Sequence, residues 1–300
     1  MALSDVLTTV KELVLNPGQL MGDIGNREVY LKERFPTLSG DEVRDLAAIR
    51  PERLAIYSNS IFTAEASLLA RYFPVTTFEI KRAISSVRQE KEVSLYEVAQ
   101  LINTVAPWRG IHSASLGESL IAFIKNYPFP NVTEVEPVLE IASLELAILR
   151  IRKALNSELE PLNVDAIKEI SALTVGDLLH TEFAVPDLVQ GVEATWDIAT
   201  FRSEVLADAS APKMYRLEAP EYLVAGRAHD YGVQWVSVAK PIYDKILARR
   251  GHGGEPLEVL AQLFVETCQE QYHSESEQFG EFLALILSLL NVGVLARVTP

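Results

Sequence analysis

Cysteine, long apolar runs and positive charge are all scarce in this chain. Cys268 is the one cysteine among 300 residues, so no intramolecular disulfide can form, as expected of a protein from a reducing compartment. No stretch approaches the roughly 20 uninterrupted apolar residues that a membrane-spanning helix needs. The opening residues, Met-Ala-Leu-Ser-Asp, lack the basic region and apolar block of a signal peptide. Together these absences predict a cytoplasmic protein.

The shortage of positive charge bears on the partners that the chain can bind. It has 27 Lys and Arg against 41 Asp and Glu, a net charge of −14. Because nucleic-acid binding draws most of its affinity from neutralising phosphates, a chain this acidic needs a local basic patch to bind DNA or RNA. The final segment, residues 213–300, has 8 Lys and Arg against 11 Asp and Glu and shows no such patch. We expect neither a nucleic-acid nor a membrane partner.

The sequence offers little from which a catalytic or metal site could be built. No two histidines stand at the i, i+4 spacing that places both on one helix face. His273, Glu275 and Glu277 could supply a nitrogen and two carboxylates, but a solvated loop explains them better. Cys268 is better explained as a small buried apolar residue than as a reactive thiolate. The glycines of residues 251–254 are more typical of a turn than of a phosphate-binding loop. We expect no catalysis, no metal and no cofactor of its own.

Helix-forming sequence, in contrast, is abundant. Hydrophobic residues make up 48% of the chain, enough to give each of two domains a core. Ser94-Leu-Tyr-Glu97 and Ser115-Leu-Gly-Glu118 have the Ser-x-x-Glu form that is typical of helix starts. The segment from Glu134 to Leu155 is apolar on most faces, which indicates a helix buried among others. We therefore predict a mainly α fold whose N-terminal part is a helical bundle.

Glu145 stands inside this apolar segment. A buried carboxylate is costly unless it is paired, so we expect it to meet an arginine. A role at an interface or a binding site is the alternative.

The composition changes after Phe201. Residues 207–212, Ala-Asp-Ala-Ser-Ala-Pro, have the small side chains and the proline of a linker, so we place a boundary near residue 210. It divides the chain into a helical domain, 1–210, and a small domain, 211–300. In the small domain two runs rich in Val, Tyr and Trp flank residues 228–232 and predict a β-hairpin.

Three helices and a short strand are predicted after the hairpin, which together make a winged-helix arrangement. The helices are expected near Ala239–Arg249, from Glu255-Pro256 and from about Glu277, and the strand at Leu295–Val298.

A short hairpin in a helical protein leaves an open edge, whose unpaired amides and carbonyls an extended peptide can complete as one more strand. We predict a peptide groove between the hairpin and the third helix. Its floor and wall would be Tyr222, Val224, Val233, Trp235, Phe282, Leu283, Ile286 and Leu290. The alternative for each of these residues is that it belongs to the core of the small domain, and a groove can be built from the edge of a core.

A winged helix can also be a DNA-binding transcriptional regulator, whose third helix carries Arg, Lys, Asn or Gln to base edges. Here the segment from Glu277 to Asn291 contains Glu277 and Glu281 and no Lys or Arg. This alternative is therefore disfavoured.

Four stretches in fixed order carry a family resemblance. PERLAIYSN (51–59) with LARYFP (69–74) is similar to an opening signature, LEIASLELA (139–147) to a later helix, VEATWDIATF (192–201) to the segment before a linker, and YLVAGR (222–227) with VQW (233–235) to a C-terminal hairpin. From about residue 50 to the end, the chain thus resembles the HvfC/MbnC/TglI-type proteins.

Members of that family accompany a TIM-barrel enzyme with a multinuclear iron centre that modifies ribosomally made peptides (RiPPs). The resemblance implies a substrate-recruiting subunit, with the iron held by its partner. The C-terminal part is similar to the PqqD-like RiPP recognition element, in which a leader peptide pairs with an edge strand and lies against the third helix. The length and the first fifty residues look most like the TglI branch, whose TglH-like partner makes 3-thiaglutamate at the C-terminal cysteine of a carrier peptide.

The resemblance also implies that the N-terminal domain docks on the iron enzyme. The conspicuous candidates for this contact are Arg53, Tyr57, Asn59, Tyr72 and Phe73. The alternative is that Tyr57 and Phe73 are packing residues and Asn59 is a helix cap.

Overall fold

A computed structural model describes residues 3–15, 23–88, 92–107, 113–129, 135–154, 164–208, 212–228, 232–268 and 274–298. Within these ranges the chain forms fourteen helices and two three-stranded sheets, so the predicted mainly α fold is confirmed. The helices are α1 (Leu3–Leu15), α2 (Ile24–Arg34), α3 (Gly40–Ala47), α4 (Pro51–Tyr72), α5 (Pro74–Arg88), α6 (Leu95–Val105), α7 (Ser113–Asn126), α8 (Val135–Ala154), α9 (Val164–Ser171), α10 (Val175–His180), α11 (Ile198–Leu206), α12 (Lys240–Arg249), α13 (Glu258–Cys268) and α14 (Glu275–Asn291). The strands are β1 (Glu182–Ala184), β2 (Gln190–Trp196), β3 (Arg216–Arg227), β4 (Val233–Val238), β5 (Glu255–Pro256) and β6 (Ala296–Arg297).

The two predicted helix starts have different outcomes. Ser94 caps α6 as expected: its hydroxyl accepts from the Glu97 amide, and the Glu97 carboxylate accepts from the Ser94 amide at 2.9 Å. Ser115 is not a cap, because α7 already begins at Ser113. Glu118 instead accepts from Arg150 of α8 at 2.9 Å.

The predicted buried helix is confirmed as α8. Ile141, Leu144, Leu149 and Ile151 are all buried, because the helix packs against α5, α7 and strand β2. None of the described helices is both long and apolar enough to cross a bilayer.

The larger sheet has the strand order β2-β3-β4, with both neighbouring pairs antiparallel. The predicted hairpin is confirmed as β3 and β4, but β3 also pairs with β2, a strand that we did not predict. Leu223 lies opposite Val192 of β2 and opposite Ser237 of β4. The sheet therefore joins segments on both sides of residue 210, and a domain division at that residue stays a prediction.

The helices after the hairpin follow the predicted order, as α12, α13 and α14. Glu255–Pro256 is a correction: it forms the short strand β5, and α13 begins only at Glu258. Strand β5 belongs to the second sheet, ordered β5-β1-β6, which the predicted last strand completes at Ala296–Arg297.

The β2-β3-β4 sheet lies between two hydrophobic cores. Leu223 on one face packs with side chains from α5, α8 and α11. Val224 on the other face packs with side chains from α12, α13 and α14. We call the face with Leu223 the α8 face and the face with Val224 the α14 face. Helices therefore pack on both faces of this sheet.

Candidate functional site

The outer edge of β4 is open. The Ala228 amide donates to the Gly232 carbonyl at 2.9 Å, which marks this pair as hydrogen-bonded. Because hydrogen-bonded and non-bonded pairs alternate in an antiparallel ladder, the backbone groups of Val233, Trp235 and Ser237 point away from β3. No described residue forms a hydrogen bond with these outward-facing groups. Strand β4 thus offers three residues of free backbone to an added strand.

The other strands of this sheet offer less. Both edges of β3 are paired, with β2 and with β4. The outer edge of β2 is closed at its end by Glu140 of α8, whose carboxylate accepts from the Thr195 amide at 3.0 Å and the Trp196 amide at 3.1 Å. The free edge is therefore on the second hairpin strand, a choice that the sequence left open.

The four predicted floor residues do not form one floor. Val224 pairs across the ladder with Val236, and Tyr222 with Val238, so these lie on the α14 face. Val233 and Trp235 alternate with them and pack against the core on the α8 face. The predicted grouping of all four is corrected by this register.

The predicted wall on α14 is mostly core. Phe282, Ile286 and Leu290 are buried together with Val224, as the alternative for these residues supposed. Leu283 is only partly buried against the same core. Val236 of β4, which we did not select, is also partly buried there. Leu283 and Val236 are thus apolar side chains left at the margin of the core on the α14 face.

On the α8 face, Trp235 lies beneath an arginine. The guanidinium carbon of Arg202 in α11 is 6.0 Å from the centroid of the Trp235 ring, within the range of a cation–π contact. The Arg202 side chain is only 15% exposed, and its Nε is 3.9 Å from the Glu145 carboxylate. Burial lowers the pKa of Arg202, and the charge of Glu145 acts in the opposite direction.

Glu145 meets an arginine as predicted, but its closest partners are on α5. Its carboxylate accepts from the Val75 amide at 3.1 Å, from the Thr76 amide at 3.0 Å and from the Thr76 hydroxyl at 2.7 Å. These amides belong to the first turn of α5, which has no helical acceptors for them. Burial raises the pKa of Glu145, while these hydrogen bonds oppose the rise. Glu145 therefore holds α5, α8 and α11 together beside the sheet.

Three of the five docking candidates are exposed on α4, where Arg53 and Tyr57 lie close together and Asn59 lies about 200° around the helix from Tyr57. Arg53, Tyr57 and Asn59 are exposed, and Tyr57 is 63% exposed. Asn59 is not a cap, since it lies within α4 and accepts a hydrogen bond from the Tyr96 hydroxyl. Ile56, 64% exposed, adds an apolar side chain that the sequence analysis missed, although its i+3 spacing from Arg53 was a visible signal.

The other two docking candidates are not exposed. Tyr72 is partly buried, with the Arg71 guanidinium 5.4 Å from its ring centroid. Phe73 is fully buried in the bundle core. Its ring comes so close to Gly117 that a Cβ there would lie 2.6 Å from it. Phe73 is thus a packing residue.

Among the described residues, no three His, Cys, Asp or Glu side chains lie close enough to hold one metal ion. His273 and the side chain of Cys268 lie outside the described part of the chain. No protein-family model matches the chain, and a search of curated proteins finds no match.

Proposed function

We propose that this protein is a cytoplasmic, non-catalytic subunit that captures the leader of a ribosomally made peptide on the outer edge of β4. It would deliver that peptide to a partner TIM-barrel enzyme of the TglH-like kind, whose multinuclear iron modifies a C-terminal cysteine. The resemblance suggests the partner and the peptide class. The observation that carries the binding mode is the outward-facing backbone of Val233, Trp235 and Ser237, which no described residue bonds.

Strand addition fits this edge physically. The guest backbone would complete the free amides and carbonyls, which supplies affinity, and its side chains would point alternately to the two faces of the sheet, which supplies selectivity. On the α14 face they would meet Val236, and on the α8 face Val233 and Trp235. A guest held by its leader keeps its distant reacting end at a high local concentration near the enzyme.

The exposed side of α4 is the proposed docking surface for the iron enzyme. Ile56 and Tyr57 lie about 100° apart on that side of the helix, on either side of Arg53, and both are more than 60% exposed. Large apolar side chains exposed on the same side of a helix are typical of protein interfaces. This surface leaves the β4 edge free for the peptide, since no α4 residue bonds to β4 in the described chain.

The DNA-binding alternative gains no support. Glu275, Glu277 and Glu281 of α14 are exposed, and the helix carries no Lys or Arg. Such a surface would repel the phosphates that flank a major groove.

A display selection tests the peptide proposal directly. Random dodecapeptides displayed on phage would be selected on the full chain and then retested on Ser237→Pro and on the matched control Ser237→Ala. Ser237 has an exposed side chain and an outward amide, so proline removes a donor that the fold does not use. Circular dichroism checks that both variants fold.

We expect the enriched peptides to bind Ser237→Ala as they bind the wild type and to lose at least tenfold in affinity for Ser237→Pro. Enriched peptides that bind the folded proline variant equally well would contradict strand addition at β4.

A further inference from the structure

A cavity of about 310 Å³ lies where α5, the start of α8, the end of β2, α11 and the segment 212–215 meet. Its volume falls at the lower end of the range for small-molecule pockets, which is roughly 300–1,000 Å³. Among the described residues, none of β4 lines it, so the cavity is separate from the open edge. It is large enough for one small organic molecule.

Hydrogen bonds hold the segment 212–215 in place at this cavity. The Lys213 amide donates to the Glu204 carboxylate of α11 at 3.2 Å, and the Asp197 amide donates to the Tyr215 carbonyl at 2.9 Å. The end of β2 is likewise held by a side chain of α8. The walls are therefore fixed before a ligand arrives, which lowers the entropic cost of binding.

The lining of the cavity is mostly apolar and rich in aromatic rings. Phe201 is buried, Trp196 and Met214 are partly buried, and Tyr215 is 58% exposed. Aromatic rings attract one another in edge-to-face and offset-stacked arrangements, beyond what the burial of their area contributes. Three such rings around one cavity favour a ligand that is itself aromatic.

The charges of the lining favour an anion. Arg82 and Lys213 are exposed cations, and Glu79 supplies a carboxylate. The Glu79 side chain is only 4% exposed and lies 2.6 Å from Arg82 Nη2, so it balances that cation. The Lys213 ammonium forms no ion pair with any described residue, and Glu204 bonds only its backbone. The lining thus has one positive charge in excess.

We infer that this cavity binds a small aromatic carboxylate. Its single negative charge matches the excess of one positive charge, and Arg82 has further guanidinium donors besides the one that Glu79 accepts. Inorganic phosphate would leave the aromatic rings uncovered. This site goes beyond the proposed function, because it lies apart from β4 and does not require peptide capture.

The indole signals of the ¹⁵N-labelled full chain test this site without any measurement of activity. The chain has three tryptophans, so a ¹H–¹⁵N correlation spectrum contains three indole signals, and Trp196→Phe identifies the signal of Trp196. The probes are phenylacetate, cinnamate and indoleacetate, each compared with its primary amide and titrated to about 10 mM.

We expect at least one carboxylate to shift the Trp196 signal to saturation, with a Kd of about 1 mM or below. Its amide should bind about fivefold more weakly. The signal of Trp235, which does not line the cavity, should keep its position. Lys213→Gln should weaken carboxylate binding about threefold. Lys125→Gln, the matched control at an exposed position of α7, should bind like the wild type.

Three outcomes would overturn this inference. If no probe moves the Trp196 signal to saturation, the cavity holds only water and is not a ligand site. Equal binding of the carboxylates and their amides would exclude the anionic class, and so would equal affinities of Lys213→Gln and Lys125→Gln. None of these results depends on a peptide at β4, so they leave the test of the proposed function separate.

Discussion

The carboxylate of Glu140 accepts hydrogen bonds from both the amide and the hydroxyl of Thr195, at 3.0 and 2.5 Å. Glu140 belongs to α8 and Thr195 to β2, so one side chain of the bundle closes an edge that would otherwise be open. The opposite edge of the same sheet, on β4, has no such closure among the described residues. This difference between the two edges explains where a guest strand has room.

Removing the Glu140 carboxylate should destabilise the fold. Glu140→Ala would leave the Thr195 and Trp196 amides without their charged acceptor, and we expect a loss of about 2 kcal/mol in the free energy of unfolding. Urea denaturation measures it. Glu136→Ala, an exposed position one turn earlier on α8, should cost less than about 1 kcal/mol. Equal losses in the two variants would show that the closure of β2 contributes nothing.

Glu65 should make stability depend on pH. Burial raises its pKa from 4.5 to about 7, although a hydrogen bond from Asn103 and the charge of Lys11 act against the rise. A raised carboxyl pKa means that the folded state holds a proton that the unfolded state has already lost. The free energy of unfolding should therefore fall as pH rises from about 4.5 to 7, by at most about 3 kcal/mol.

Glu65→Gln isolates this effect, because the amide keeps the size of the side chain but cannot ionise. In urea denaturation at pH 5 and pH 8, the wild type should lose more stability across the interval than Glu65→Gln. The exposed Glu52 of the same helix gives the control Glu52→Gln, which should follow the wild type. Parallel losses in the wild type and Glu65→Gln would mean that Glu65 titrates normally.

Two glycines should respond oppositely to alanine. At Gly117 a Cβ would lie 2.6 Å from the Phe73 ring and 2.7 Å from Leu146, so Gly117→Ala should destabilise by about 1–3 kcal/mol through overpacking. At Gly280 within α14 a Cβ would meet nothing within 4 Å, so Gly280→Ala should stabilise by about 0.5–1 kcal/mol. Thermal unfolding would measure both changes. Unchanged stability of Gly117→Ala would contradict the tight packing of Phe73 against Gly117.

The docking surface on α4 predicts a loss of binding without a loss of folding. Ile56→Glu and Tyr57→Glu place charges at exposed positions and should change stability by less than about 0.5 kcal/mol. Both should abolish co-purification with a co-expressed TglH-like iron enzyme. Val175→Glu, at another exposed apolar position, should not. If both α4 variants still co-purify with the enzyme, the docking surface lies elsewhere on the protein.

Much of the local structure could be predicted from the sequence, because it depends on periodicity. The hairpin and the apolar spacing of α14 were visible, and so was β2 in principle, since Val192, Ala194 and Trp196 alternate with polar residues. The hairpin faces could have been predicted too. Pairing residues step by step along the two strands from the closing pair Ala228 and Gly232 assigns each residue to a face and puts Val236 opposite Val224.

The rest depends on contacts between distant residues. Glu140 meets Thr195 across 55 positions and Glu145 meets Val75 across 70. Neither contact follows from a local pattern, because each exists only once α8 has packed against the sheet and α5. The closed edge of β2, and with it the choice of β4, therefore required the structure.

Amide hydrogen exchange of the full chain, with and without a saturating display-selected dodecapeptide, tests strand addition most directly. The account predicts that the peptide slows exchange at Val233, Trp235 and Ser237 by at least tenfold and leaves Gly191 and Glu193 on the outer edge of β2 unchanged. Saturation by the peptide with no added protection at these three β4 amides would contradict it.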